Sequence, residues 1–261
     1  MSDFRQRYGP WALVAGASAG LGAAFAEALA RRGLDLLLVA RRPDALATLA
    51  GELGARHGIA VRTLAADLGR PDLEAVVREF TAGLEVGLLV YNAAHSVIGP
   101  FVARPLGEHL RVVDVNCRGP LVLAHLLGAP MAERGRGGIV LMTSLAGSQG
   151  NPHLASYAAS KAFELVLAEG LWAELGAEGV DVLACRAGAT RTPGYAASRP
   201  RRKVPLMEPD EVAARALAAL AGGPSVVPGA LNRAAAFAFA RLLPRRAAIA
   251  VMGRATRRLY G

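Results

Sequence analysis

The chain has 261 residues, 53% of them apolar and 5% aromatic, and carries a formal net charge of +9. That length suits one α/β domain able to bury roughly 70–75% of its unfolded surface, and no apolar run is long enough to span a bilayer. The charge is confined to one end: residues 199–261 hold twelve Arg/Lys against three Asp/Glu, whereas residues 1–198 hold eighteen of each sign, so a body without a basic stripe excludes a general nucleic-acid binder.

The first ten residues, Met1 to Pro10, lack the apolar core of a signal peptide. Cys117 and Cys185 stand far apart without metal-like spacing and read as buried small hydrophobes. Both features predict a cytoplasmic protein. Trp11–Ala15 is a short apolar run of the kind that forms a buried strand. It leads into Gly16-Ala17-Ser18-Ala19-Gly20-Leu21-Gly22 and then an alanine-rich helix to about Arg32. A strand, a glycine turn and a helix together make a dinucleotide site, because the glycines permit close backbone approach and the helix N-terminus faces the pyrophosphate. Leu34–Ala40 reads as a second strand ending in Arg41-Arg42. An acidic residue there would favour a free ribose 2′-hydroxyl, whereas two arginines suit a 2′-phosphate and point to NADP, with NAD as the alternative.

Further on, a helix near 44–57 and a strand at 59–65 lead to Asp67-Leu68, a loop placed to meet an adenine. Helix 70–82, strand Val86–Tyr91 and the segment Asn92-Ala93-Ala94-His95 follow. A long helix is expected from about 106 to 133, carrying Asn116, then a strand at 138–143 that delivers Ser144. Helix 155–178, strand 180–186, a mobile lid over 194–207 without a packed element, helix 209–222 and a short strand near 225–227 complete the order. Strands alternating with helices imply right-handed crossovers and a Rossmann-like, doubly wound parallel sheet of about seven strands. Ligands in such sheets sit outside the carboxyl ends of the strands, so Gly16, Arg41, Asp67, Asn92 and Ser144 share one rim. Residues 1–228 form the dinucleotide-binding and catalytic part. Residues 229–261 form a basic helical extension of the same domain, two helices broken at Pro244. That extension fits either an anionic membrane surface or packing on the body or on another subunit.

The chemistry centres on Ser156-Tyr157-Ala158-Ala159-Ser160-Lys161. On a helix, Tyr157 and Lys161 stand one turn apart on the same face. A free phenol titrates near pH ~10, and a neighbouring ammonium lowers that value; a shift to about 7 requires roughly 4 kcal/mol of differential stabilisation. Of thirty basic residues only Lys161 and Lys203 are lysine, so a chain that otherwise relies on arginine keeps a compact ammonium here. Ser144 is placed to hold a carbonyl oxygen while Tyr157 gives it a proton.

These motifs, in this order, resemble the short-chain dehydrogenase/reductase family in its shorter single-domain branch, from about Trp11 to Val227. The resemblance implies a catalytic tetrad of Asn116, Ser144, Tyr157 and Lys161. Tyr157 would act as general acid or base, Lys161 would lower its pKa and bond the nicotinamide ribose, and Asn116 would support a water in the proton relay. It further implies cofactor contacts from Gly16, Ser18, Gly20, Leu21, Gly22, Asp67, Leu68, Asn92, Ala93, Ala94, Tyr157 and Lys161, and a nicotinamide loop with Gly188, Thr190 and Thr192. Three positions depart from the family pattern: Ala19 for a basic residue, Ala94 for Gly and Ala187 for Pro. Leu145, Gly150, His153, Leu154 and Tyr195 flank Ser144 and Tyr157 and suggest a largely apolar small-molecule pocket. The expected activity is NADP-dependent interconversion of a ketone or aldehyde with its alcohol. Alternatives are reduction of carrier-linked 3-oxoacyl chains or of lipid at a membrane surface, and a dinucleotide-sensing scaffold without turnover. No metal is expected, and relatives imply a homo-oligomer, dimer or tetramer, built on the long helices.

Overall fold

Apolar runs with no polar alternation must be covered on both faces, and the computed structural model, which describes residues 2–260, buries them in a seven-stranded parallel sheet. The strands are β1 (Trp11–Ala15), β2 (Asp35–Ala40), β3 (Val61–Ala65), β4 (Val86–Tyr91), β5 (Gly137–Ser144), β6 (Val180–Ala187) and β7 (Ser225–Val226), in the order β3-β2-β1-β4-β5-β6-β7. The helices are α1 (Ser2–Tyr8), α2 (Gly20–Ala30), α3 (Pro43–His57), α4 (Leu73–Thr81), α5 (Leu106–Val113), α6 (Gly119–Glu133), α7 (Ala155–Gly176), α8 (Pro193–Ala197), α9 (Pro209–Ala219), α10 (Ala230–Phe237) and α11 (Arg245–Tyr260). Leu13, Leu37, Leu89, Ile139 and Val182 face α4, α6 and α7, where Val77, Leu123, Leu127 and Ala168 meet them. Val14, Leu38, Val90, Val140 and Leu183 face the other way, onto Phe25, Leu29, Leu46, Val212 and Leu217 of α2, α3 and α9. Truncating one of these leucines to alanine costs about 2–5 kcal/mol.

The strand order reverses between β1 and β4, which opens a crevice at their carboxyl ends. Gly16 turns the chain there at φ +85°, and a Cβ would lie 2.7 Å from the amide nitrogen of Ala93 after β4. Only glycine lets the two loops approach so closely.

Three expectations need correction. The helix expected over 106–133 is interrupted by a π-helical turn at Asp114–Arg118. Its Val115 carbonyl accepts the buried Tyr91 hydroxyl at 2.5 Å, so tertiary contact takes an acceptor that a regular ladder would have used. Second, the lid over 194–207 is not without a packed element. Thr192 caps α8 through the Tyr195 N–H at 3.1 Å, and the far end is tied by Arg191 N–H to Met207 O at 2.9 Å and Met207 N–H to Ala189 O at 3.0 Å. Third, Cys117 is only half-buried, while Cys185 is buried as expected.

Residues before Trp11 carry no predicted element, yet α1 packs there: Tyr8 is 4% exposed and its hydroxyl donates to Asp181 on β6 at 2.6 Å. The extension breaks at Pro244 as expected, and α11 lies on the body. The Thr256 hydroxyl donates to Asn151 Oδ1 at 2.7 Å, and Gly253 leaves room for Pro152. Arg245, Arg246, Arg254, Arg257 and Arg258 are exposed. No helix among the described residues is long and apolar enough to cross a membrane.

Candidate active site

The first wall of the crevice is the glycine turn. Helix α2 starts after Ala19 without a side-chain cap and without an acidic residue in its first turn, leaving its first N–H groups for an anion. The Asn92 side chain donates to Gly16 O at 3.1 Å and fixes the turn against β4. Arg42 folds back over the turn, its guanidinium 3.2 Å from Ser18 Oγ and 3.3 Å from Ser18 O. The carboxylate of Asp67 is held below its usual range: burial pushes it up, but the Gly69 N–H and Arg111, with the charge of Arg41 nearby, outweigh that. Its two oxygens accept from Gly69 at 3.0 Å and from Arg111 at 2.6 Å, a partner sequence reasoning missed. Leu68 beside it is buried.

On the opposite side, Gly188 sits where a Cβ would strike the Asn232 amide at 2.6 Å, so α10 backs the loop after β6. The Thr190 hydroxyl donates to Gly188 O at 3.1 Å. Thr192 packs over Gly20, closing the loop onto the glycine turn. The residues present fit a nicotinamide dinucleotide: uncapped N–H groups at the start of α2 for a pyrophosphate, on a glycine turn packed too closely against Ala93 and Thr192 to carry side chains.

Helix α7 runs past the end of β5, joined to it by the Thr143 hydroxyl donating to Lys161 O at 2.6 Å. Ser144 ends β5, and Tyr157 lies in the first turn of α7. Ser144 Oγ accepts the Ala146 N–H at 3.2 Å, a bond that does not use its own O–H. The π-helical turn presents Asn116, fully buried. Its Oδ1 accepts the His95 N–H at 2.7 Å, and its Nδ2 donates to His95 O and to Ser160 Oγ, each at 2.9 Å. Ser160 Oγ donates in turn to Tyr157 O at 2.8 Å. Asn116 thus locks the π-helical turn to the first turn of α7.

Lys161 is placed differently from the simple Tyr–Lys pair. Its Nζ lies 5.9 Å from the Tyr157 ring centre but donates to Met142 O at 2.8 Å and to both Glu164 oxygens at 2.9 and 2.8 Å. Glu164 is wholly buried, and its carboxyl is pushed up to about 7 because burial outweighs the attraction of Lys161. An acidic residue on the inward face shared by Ala158, Lys161 and Ala168 was the signal available in the sequence.

Among the proposed pocket residues, the loop 150–154 is pinned by α11 through Asn151 and Pro152, and Leu145 and Leu154 are partly buried beside it. His153 adopts φ +67°, and its carbonyl accepts the Gly99 N–H at 2.9 Å. Tyr195 buries its hydroxyl without a partner among the described residues. The same lid reaches α11 again through Arg201 N–H to Leu259 O at 2.7 Å.

The family profile described as short chain dehydrogenase matches residues 10–203. The chain belongs to the short-chain dehydrogenase/reductase family. It is therefore an NAD(P)-dependent oxidoreductase. It is 33% identical over 234 residues to a 7beta-hydroxysteroid dehydrogenase of Clostridium sardiniense, covering 88% of this chain and 90% of that one. It is 39% identical over 179 residues to a very-long-chain 3-oxoacyl-CoA reductase of Neurospora crassa, covering 67% of this chain and 54% of that one. A 7beta-hydroxysteroid dehydrogenase structure superposes with a TM-score of 0.90 at 29% identity, covering 95% of this chain and 98% of that one. A short-chain dehydrogenase from Sphingobium yanoikuyae in complex with NADPH superposes with a TM-score of 0.78 at 34% identity, covering 89% and 93%.

Proposed function

We propose that this short-chain dehydrogenase/reductase interconverts a bulky apolar ketone with its secondary alcohol, using NADP in preference to NAD. The observation that carries the reading is the hydrogen-bonded chain Asn116–Ser160–Tyr157, which ties the π-helical turn to α7 and supports a site in which Ser144 and Tyr157 act together. A bound nicotinamide dinucleotide supplies the hydride. Ser144 orients the substrate oxygen by donating a hydrogen bond, and Tyr157 gives that oxygen its proton in reduction or takes it in oxidation. Gly16, Ser18, Gly20 and the N-terminus of α2 hold the pyrophosphate, Arg41 and Arg42 the 2′-phosphate, Asp67 and Leu68 the adenine, and Gly188, Thr190 and Thr192 the nicotinamide side.

A ring-fused substrate such as a hydroxysteroid is favoured over a carrier-linked acyl chain. In sequence the 7beta-hydroxysteroid dehydrogenase aligns over 88% of this chain and 90% of its own length, whereas the 3-oxoacyl-CoA reductase aligns over 67% and 54%. Leu145, Leu154 and the Tyr195 ring, the side chains proposed to line the pocket, are largely apolar and support that choice. We further infer a homo-oligomer built on the outer faces of α6 and α7.

Turnover is measured with NADPH and with NADH against steroids, acyl thioesters, aryl ketones and sugars. The expected result is NADPH-linked reduction of ring-fused ketones, lowered about 10²–10⁴-fold by Tyr157→Phe with the fold intact by circular dichroism. Full activity in Tyr157→Phe would remove the assigned proton donor, and preference for thioesters would reassign the substrate class.

A further inference from the structure

An ammonium has three N–H donors, and Lys161 uses all of them inside the protein, one on Met142 O and two on Glu164. The Lys161 and Glu164 side chains are 3% and 0% exposed, so no solvent dilutes the pairing. Anything at the rim that takes a hydrogen bond from Lys161 must displace one of these acceptors. We propose that Glu164 is a positioning residue that stows the Lys161 ammonium below the rim, so that Lys161 engages the cofactor only by exchanging a Glu164 bond for one there. The inference rests on the cofactor reading above. It adds that the cation serving Tyr157 is shared between two clients, a phenol on one side and a buried carboxylate on the other.

A purely structural role accounts poorly for the pair, because a buried ion pair adds little net stability over well-packed apolar residues of the same volume. The groups facing Glu164 are Lys161 on its own helix, Cys117 on the π-helical turn and Tyr91 on β4. Burial pushes the Cys117 thiol up to about 11 and the Tyr91 phenol well above its usual value, so both stay neutral near pH 7. Glu164 itself, raised to about 7, changes charge in that range. Once protonated, its carboxyl attracts the ammonium less and frees Lys161 for the rim. By linkage, a cofactor that draws Lys161 away favours the protonated carboxyl, so a proton from solvent moves onto Glu164 as NADPH binds above pH 7.

The test is NADPH binding without substrate, followed by fluorescence at pH 6 and pH 8 in wild type and Glu164→Gln. Lysine-selective ¹³Cε labelling accompanies it; the chain contains only Lys161 and Lys203, so two signals arise. Glu164→Gln is expected to bind NADPH about tenfold tighter than wild type at pH 8, with the advantage shrinking toward pH 6. In wild type the Lys161 signal is expected to show a titration step near pH 7 that saturating NADPH moves upward. Equal affinities of the two proteins at both pH values overturn the inference. Should Glu164→Gln fail to fold, the wild-type spectrum decides, and a Lys161 signal unmoved by NADPH overturns it. A protein that shows these signatures but reduces no ketone upholds the inference and refutes the reaction proposed above.

Discussion

Glu164 also makes a claim about stability, one that needs no substrate. Its carboxyl titrates at about 7 in the folded protein against 4.5 for the ordinary group, because burial favours the neutral form more than Lys161 favours the charged one. Between those values the folded chain binds more protons than the unfolded chain, so stability falls as pH rises through that window and levels off above it. The span is worth on the order of 3 kcal/mol. Glu164→Gln cannot ionise and escapes this loss. On going from pH 5 to pH 8, its melting temperature should therefore rise relative to wild type by roughly 6–12 °C, read by thermal unfolding at both pH values. A gap that stays constant would mean that Glu164 is ionised throughout. Asn116, by contrast, is buried with all its bonds among neutral groups and contributes no pH dependence; its weight lies in holding His95 and Ser160 in place.

At the scale of elements, α11 ties two separate segments together. It touches the loop after β5 at Asn151 and Pro152 and the lid at Arg201, the two segments proposed to line the substrate pocket. Thr256→Val keeps the shape but leaves the buried Asn151 Oδ1 without its donor, at a cost of about 1–3 kcal/mol. Because that strain falls on the pocket wall and not on Tyr157, KM for a bulky ketone should rise severalfold with kcat within about twofold, measured by steady-state kinetics. A matching fall in kcat would show that α11 acts on the reacting groups themselves. The strands and long helices were legible because runs such as Leu36-Leu37-Leu38-Val39 have one solution, burial on both faces. The glycine turn, Arg41-Arg42 and the Tyr157/Lys161 spacing were legible because each is set within a short stretch of chain, a strand end or one turn of helix. What the sequence hid is held by distant partners. The π-helical turn depends on Tyr91, α1 on Asp181, and the ordering of the lid on Ala189, Met207 and Leu259, none of which lies within a local window. The partner of Lys161 is local, Glu164 one turn on, and the packing of α7 decides that the ammonium turns toward it and Met142.

The molecule as a whole divides its charge, with a neutral body and a C-terminal quarter that carries the entire excess. A neutral body raises little repulsion against a second copy. On it, α7 turns Phe163, Val166 and Trp172 outward at 39%, 65% and 42% exposure, beside Leu121 of α6 and Leu110 and Val113 of α5. On α7, Phe163, Val166 and Gly170 follow one another at helical spacing, and Gly170 has open space before it, so a partner helix can approach closely. Apolar side chains clustered on adjacent helices favour association where scattered ones would not. Val166→Glu places a carboxylate in the middle of the stripe without touching the core or the rim. Light scattering coupled to size exclusion should give a dimer or tetramer for wild type and a smaller species for Val166→Glu, with NADPH affinity unchanged. Wild type that elutes as a monomer across micromolar concentrations would assign the stripe another role, and an assembly surviving Val166→Glu would move the interface to the exposed Leu231, Phe237 and Leu242 of the extension.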